Sequence, residues 1–253
     1  MLPKERLDKI MEILYEDGRI VVKDLSKMFN VSEDAIRKDL KLLENDKLIE
    51  RIYGGAILKK QIPQFTMVGE RKEENLKDKR KIAQKAFSLI KDKETIFLDI
   101  SSINIILSQM LAESRLEITV ISNSIDILYN LSGKSNIQVI CPGGILYQNV
   151  GGFVGSATIE AIEKYKAQKV FIGSCGVDIK ENSISTFNIE DGNTKKAIID
   201  IGKEVILVME NIKFFYEGTY KFAHINQVHT IITEEEPSQA IVSKLNKYKI
   251  NIV

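Results

Sequence analysis

Residues 31–43 read Val-Ser-Glu-Asp-Ala-Ile-Arg-Lys-Asp-Leu-Lys-Leu-Leu, and no other stretch constrains the chain as tightly. Ile36, Leu40 and Leu43 fall at i, i+4 and i+7, the apolar stripe of a helix. Ser32 is a favourable N-cap, and Glu33 and Asp34 put negative charge on the first turn, where the helix dipole favours it. Arg37, Lys38 and Lys41 lie off the stripe and point outward. Residues 22–29 form a second short helical pattern with Leu25, Met28 and Phe29 inward, and only Asn30-Val31 separates the two. Helix, tight turn and capped helix with outward basic side chains is how a helix-turn-helix presents a recognition helix to the major groove. A plain helical hairpin with solvated charges would show the same periodicity.

The residues that follow favour the first alternative. Residues 48–58 predict two short strands around a Gly54-Gly55 turn. A hairpin directly after a recognition helix is a wing, which lies along the phosphate backbone. Arg51, Lys59 and Lys60 are placed to touch phosphates there, setting register without reading sequence. The expected DNA-facing set is Ser32, Glu33, Asp34, Ala35, Arg37, Lys38 and Lys41 on the helix, with Arg51, Tyr53, Gly54 and Gly55 in the wing. An amphipathic helix over residues 4–16, with Leu7, Ile10, Met11 and Leu14 inward, completes a winged helix-turn-helix domain over 1–58. Residues 1–60 carry 13 Lys+Arg against 12 Asp+Glu, so any positive surface is local. Useful affinity for double-stranded DNA then calls for a homodimer or a higher homo-oligomer.

Residues 59–80 break the pattern and read as a linker, its charged second half a solvated helix face. A helix follows to about residue 90, with Ile82, Ala83, Ala86, Phe87 and Ile90 inward. Beyond it, apolar runs at 95–99, 117–122, 137–141, 169–174, 205–209, 228–233 and 249–253 alternate with helical patterns at 103–113, 124–131, 156–166, 190–201 and 238–247. That alternation predicts βαβ units and a Rossmann-like, mainly parallel α/β domain over 81–253.

Several chemistries find no support. No apolar run reaches membrane-spanning length, and the N-terminus lacks a signal-peptide core. Cys141 and Cys175 lie far apart without ligand spacing, and there are only two histidines, so no metal is expected. Reduced thiols in a cytoplasmic protein are the expectation. Gly151-Gly152-Phe153-Val154-Gly155 is not a G-x-G-x-x-G, and there is no Walker A lysine loop, so no nucleotide cofactor is implied. No Ser/His/Asp or paired-carboxylate pattern marks catalytic residues.

Ligands of open α/β sheets bind outside the carboxyl ends of the strands. Small and polar residues recur at those ends: Asp99, Ser101 and Ser102; Ser122, Asn123 and Ser124; Gly143 and Gly144; Gly173, Gly176 and Asp178. Four such stretches on one edge favour a pocket, and Lys195 and Lys213 are its candidate countercharges.

Together these residues resemble the DeoR family of bacterial transcriptional regulators over nearly the whole chain. The most specific block runs Val31-Ser32, Ile36-Arg37-Lys38-Asp39-Leu40, Leu43-Glu44 and then Tyr53-Gly54-Gly55-Ala56. Ala35, Lys38 and Tyr53 stand where the family usually has Thr, Arg and His. In the C-terminal part Phe97-Leu98-Asp99, Ser122-Asn123-Ser124, Gly143-Gly144, Gly173 with Gly176, Thr186, Glu190 with Lys195-Lys196, and Lys213-Phe214 match family positions. The family's Asp-x-Gly-Thr-Thr appears as Asp99-Ile100-Ser101-Ser102-Ile103, without its glycine, and Glu210 replaces an Asp. The resemblance implies a repressor of carbohydrate genes, with a sugar-phosphate isomerase-like domain that senses a phosphorylated sugar. The alternative is an enzyme of that isomerase type with an accessory N-terminal domain, using Asp99 or Asp178 as acid/base.

Overall fold

Gly18, at φ +78°, stops the first helix, α1 (Pro3–Asp17), and turns the chain into a short strand, β1 (Arg19–Val21). Helices α2 (Val22–Phe29) and α3 (Glu33–Asn45) follow, then β2 (Ile49–Ile52) and β3 (Gly55–Leu58). The structure is a computed structural model that describes residues 3–45, 48–58 and 73–253. The chain divides into two units, Met1–Ile62 with Pro237–Lys247 and Pro63–Glu236 with Tyr248–Val253.

In the first unit Ile10, Leu14, Leu25, Ile36, Leu40, Leu43, Ile49 and Ala56 make the core. The sheet has three antiparallel strands, β1-β3-β2, where two were expected. The close approach of β1 to β3 depends on Gly55, where an added Cβ would lie 1.9 Å from the Ile20 carbonyl oxygen. Gly55 is therefore the buried first residue of β3, and the turn falls on Tyr53-Gly54, with Gly54 at φ +76°. This corrects the expected Gly54-Gly55 turn. Helix α9 (Gln239–Asn246) also belongs to this unit and packs against α1, its Ala240, Ile241 and Leu245 buried. The expected domain boundaries put it in the second domain, because residues 238–247 follow an apolar run as a crossover helix would.

Among the described residues of the second unit the first helix is α4 (Leu76–Ser88), inside the stretch read as linker. Lys79, Ile82, Ala83 and Ala86 are buried at i, i+3, i+4 and i+7, so the charged run carries an inward stripe. All seven predicted apolar runs enter one parallel sheet. Its strands are β4 (Thr95–Leu98), β5 (Ile118–Ser122), β6 (Ile137–Ile140), β9 (Ala167–Ile172), β12 (Gly202–Val208), β14 (Thr230–Ile232) and β15 (Asn251–Ile252), in the order β15-β14-β12-β9-β4-β5-β6. Ile96, Phe97, Leu98, Val170, Phe171 and Ile206 are closed to solvent, as continuous apolar strands covered on both faces must be. From β4 the chain winds outward through β5 and β6, then returns to the other side of β4 as β9. The order reverses between β4 and β9, the place where doubly wound sheets open a crevice.

Helices α5 (Ser102–Glu113), α6 (Ile125–Leu131), α7 (Ser156–Ile162) and α8 (Ile189–Ile201) lie between these strands along the chain. Two smaller sheets were not expected: the hairpin β7 (Ile145–Tyr147) with β8 (Gly152–Val154), and β10 (Gly176–Asp178), β11 (Ser183–Thr186) and β13 (Tyr220–Ala223). Among the described residues no helix is long and apolar enough to cross a membrane.

Candidate DNA interface and effector cavity

The turn between α2 and α3 is set by Asn30, which takes the left-handed conformation at φ 51° that Asn tolerates. Val31 N–H then donates to the Ser26 carbonyl, and Ser32 Oγ accepts from Ala35 N–H at 3.2 Å, capping α3. Ile36, Leu40 and Leu43 face inward as expected. Asp39 is buried with them, a role the sequence pattern did not reveal. Its carboxylate takes a bidentate grip from Arg6 of α1, Nε to Oδ2 at 2.5 Å and Nη2 to Oδ1 at 3.0 Å. That ion pair ties α3 to α1.

On the opposite face Arg37, Lys38 and Lys41 are exposed. Arg37 donates to Glu33 Oε2 at 2.6 Å and Asp34 Oδ1 at 2.7 Å. Glu33 and Asp34 thus hold the arginine extended along its own helix, and such exposed pairs are weak enough to exchange for a base or phosphate. Ser32 is exposed and Ala35 half-buried at the head of the helix. In the wing, Arg51 lies 3.6 Å from Glu44, while Tyr53 is fully exposed at the tip. Lys59 and Lys60 lie outside the described residues.

In the second unit a cavity of about 270 Å³ opens at the β4/β9 crevice. Ser101 and Ser102 line it from the head of α5, Gly173 from the end of β9, Lys195 from α8, and Lys213 from the turn after β12. Asp99 lies beneath, fully buried. Its Oδ2 accepts from Gly173 N–H at 2.9 Å and from Lys195 Nζ, and its Oδ1 accepts from Asn104 Nδ2 at 2.7 Å. Asp191 sits 3.8 Å from the same ammonium and accepts from Thr186 Oγ1 at 2.8 Å. Burial raises the Asp99 carboxyl above the usual carboxylate range, opposed by Lys195 and the Gly173 N–H. Burial alone would lower Lys195, but Asp191 and Asp99 outweigh it and hold the ammonium above its ordinary value. Lys195 is therefore a charge already compensated from below.

Ser101, standing where the family has glycine, uses its hydroxyl to cap α5, accepting from Asn104 N–H at 3.1 Å. Room for its side chain comes from Gly173, where an added Cβ would lie 2.6 Å from Ser101 Cβ. The cavity also receives Glu74, Lys79, Asp191, Glu210 and Tyr216, none of them expected from strand-end patterns. Lys79 lies on the stripe of Ile82 and Ala83, a spacing masked in the sequence by the charged run around it. Lys213 Nζ stands 4.9 Å from the centre of the Tyr216 ring, and Glu210 accepts from Asn75 Nδ2 at 2.7 Å.

The other predicted effector residues do not line this cavity. Ser122 Oγ donates to the Leu98 carbonyl, Ser124 N–H donates to Ser122 Oγ, and Asn123 Nδ2 donates to the Phe153 carbonyl, so β8 covers the end of β5. Gly143 and Gly144, at φ +70° and +116°, form the bend after β6, where Thr158 Oγ1 donates to the Gly143 carbonyl. Gly176 permits close approach to the Tyr216 carbonyl, and Asp178 Oδ1 accepts from the Lys180 and Glu181 amides. In these contacts they hold turns and neighbouring strands of the chain together.

Residues 6–62 match the family described as DeoR-like helix-turn-helix domain, and residues 74–235 the DeoR C terminal sensor domain. The chain is 33% identical over 255 residues to the uncharacterized HTH-type transcriptional regulator YulB of Bacillus subtilis, covering 100% of this chain and 96% of the relative. It is 31% identical to the HTH-type transcriptional repressor GlcR of Bacillus subtilis, covering 100% and 96%. It is 28% identical to the glycerol-3-phosphate regulon repressor of Escherichia coli, covering 100% and 99%.

Proposed function

Because this chain belongs to the DeoR family of DNA-binding transcriptional regulators, we propose that it represses a carbohydrate-use operon and releases its operator when a phosphorylated sugar binds. The membership decides against the enzyme reading: the chain is a regulator. The observation that carries the effector assignment is the composition of the cavity at the β4/β9 crevice. Lys79, Lys213 and the first amides of α5 stand around it with the carboxylates Asp191 and Glu210. Cations and helix amides suit a phosphate, and carboxylates suit sugar hydroxyls. One relative is named a glycerol-3-phosphate regulon repressor, after a small phosphorylated polyol of related chemistry.

On this reading Arg37, Lys38 and Lys41 enter the major groove, and Arg51, Tyr53 and Gly54 approach the backbone. The protein works in the cytoplasm as a homodimer or larger assembly held by its sensor unit, each recognition helix taking one half-site. Retardation of DNA from upstream of its own gene, with a steep loss on raising salt, is the expected result. Turnover of a pentose or hexose phosphate without DNA binding would overturn it.

A further inference from the structure

Residues 135–159 contain no Asp, Glu, Lys or Arg, in a chain of which 28% is charged. The run covers β6, the last strand of the parallel sheet, and the β7–β8 hairpin that follows. It is not a buried run. Ile145, Leu146 and Tyr147 are exposed at 66%, 41% and 38%. Successive residues of a strand point to opposite faces, so both faces of β7 are open. The patch continues onto α6. Gly152 in β8 bridges to Ser124, the Ile125 N–H donates to the Gly151 carbonyl, and Ile125 and Tyr129 stand one turn apart, both exposed. Among the described residues of the sensor unit six large apolar side chains are exposed, and five of them belong to this patch.

We propose that the β7–β8 arm and the exposed face of α6 form the surface through which two copies of this chain associate. β8 is anchored inward through the buried Gly152 and Val154, but β7 is exposed along its whole length, so the outer strand of the arm gains by being covered. Charge selects the occupant. Depletion of charge with aromatic and aliphatic enrichment is the signature of an interface core, strongest in homodimers. An uncharged patch meets its own copy about a two-fold axis without opposing like charges. Apart from Asp126 on α6, the patch offers a nucleic acid or an acidic or basic protein no charge to pair with. This inference rests on the assembly reading above and gives it an address.

Full-length protein is compared by sedimentation velocity with Leu146→Glu on the arm and Tyr129→Glu on α6. Both positions are exposed, so circular dichroism and thermal melting should match the wild type. A two-fold axis would bring the introduced charges from both copies into one apolar interface. The expected result is an assembled wild type and variants whose dissociation constant rises by roughly tenfold or more. Two folded variants that assemble as the wild type does would overturn the surface while leaving the assembly reading intact. A wild type that is monomeric at operator-binding concentrations would overturn both.

Discussion

The Arg6 guanidinium and the Asp39 carboxylate, 33 residues apart in the chain, meet in a buried two-point grip that ties α1 to α3. Removing one partner of such a pair leaves an uncompensated charge inside the protein. Asp39→Ala should therefore cost about 3–5 kcal/mol of stability, read by urea denaturation. The double replacement Arg6→Met, Asp39→Leu should recover most of that loss. Equal losses in single and double variants would show that the pair does not act as a unit.

Arg37 lies on the opposite face, and its loss should affect reading without affecting folding. Its pairs with Glu33 and Asp34 are solvent-exposed, so Arg37→Ala should change stability by less than about half a kcal/mol. Operator affinity should fall roughly tenfold or more, as expected for an arginine aimed at base edges. Retardation at fixed salt on operator and scrambled DNA measures both. Unchanged operator affinity would remove Arg37 from the interface.

Gly173 and Ser101 form a steric pair. Gly173→Ala should destabilise the sensor unit by about 1–3 kcal/mol through overpacking against the Ser101 side chain. Ser101→Gly in the same chain should relieve much of that cost, measured as a coupling in thermal or urea unfolding. Strictly additive effects would deny the contact its importance.

Lys195 should behave as a structural cation. Lys195→Ala leaves Asp99 buried without its counterion and should cost about 3–5 kcal/mol. Lys195→Met combined with Asp99→Asn should fold better than Lys195→Ala alone. A Lys195→Ala protein as stable as wild type would return the lysine to the role of direct anion partner.

The seven parallel strands were readable because buried strands carry continuous apolar runs that few other elements imitate. The recognition helix was readable because Ile36, Leu40 and Leu43 keep a clean stripe above a good cap. The β7–β8 hairpin was not, since three-residue strands with exposed apolar side chains have no inside and outside to alternate. Lys79 was hidden because a charge run reads as solvent-facing even when one of its members lies on the stripe of Ile82 and Ala83. Of the predicted effector residues, Ser101, Ser102, Gly173, Lys195 and Lys213 meet at one cavity with Asp99 beneath. Ser122 to Ser124 and the glycines after β6 lie outside this cavity, and a strand-end turn looks the same in sequence whether a ligand or another strand covers it.

On the proposed mechanism, occupancy of the sensor cavity changes DNA affinity. The direct measurement is operator affinity titrated with a panel of phosphorylated sugars, for wild type and for Lys213→Ala. One such sugar is expected to weaken operator binding by a factor of about 5–150, the usual range of allosteric coupling. The same sugar should raise the melting temperature. Lys213→Ala should bind the operator normally and ignore the sugar. Operator binding indifferent to every phosphorylated sugar, with no shift in melting, would contradict it.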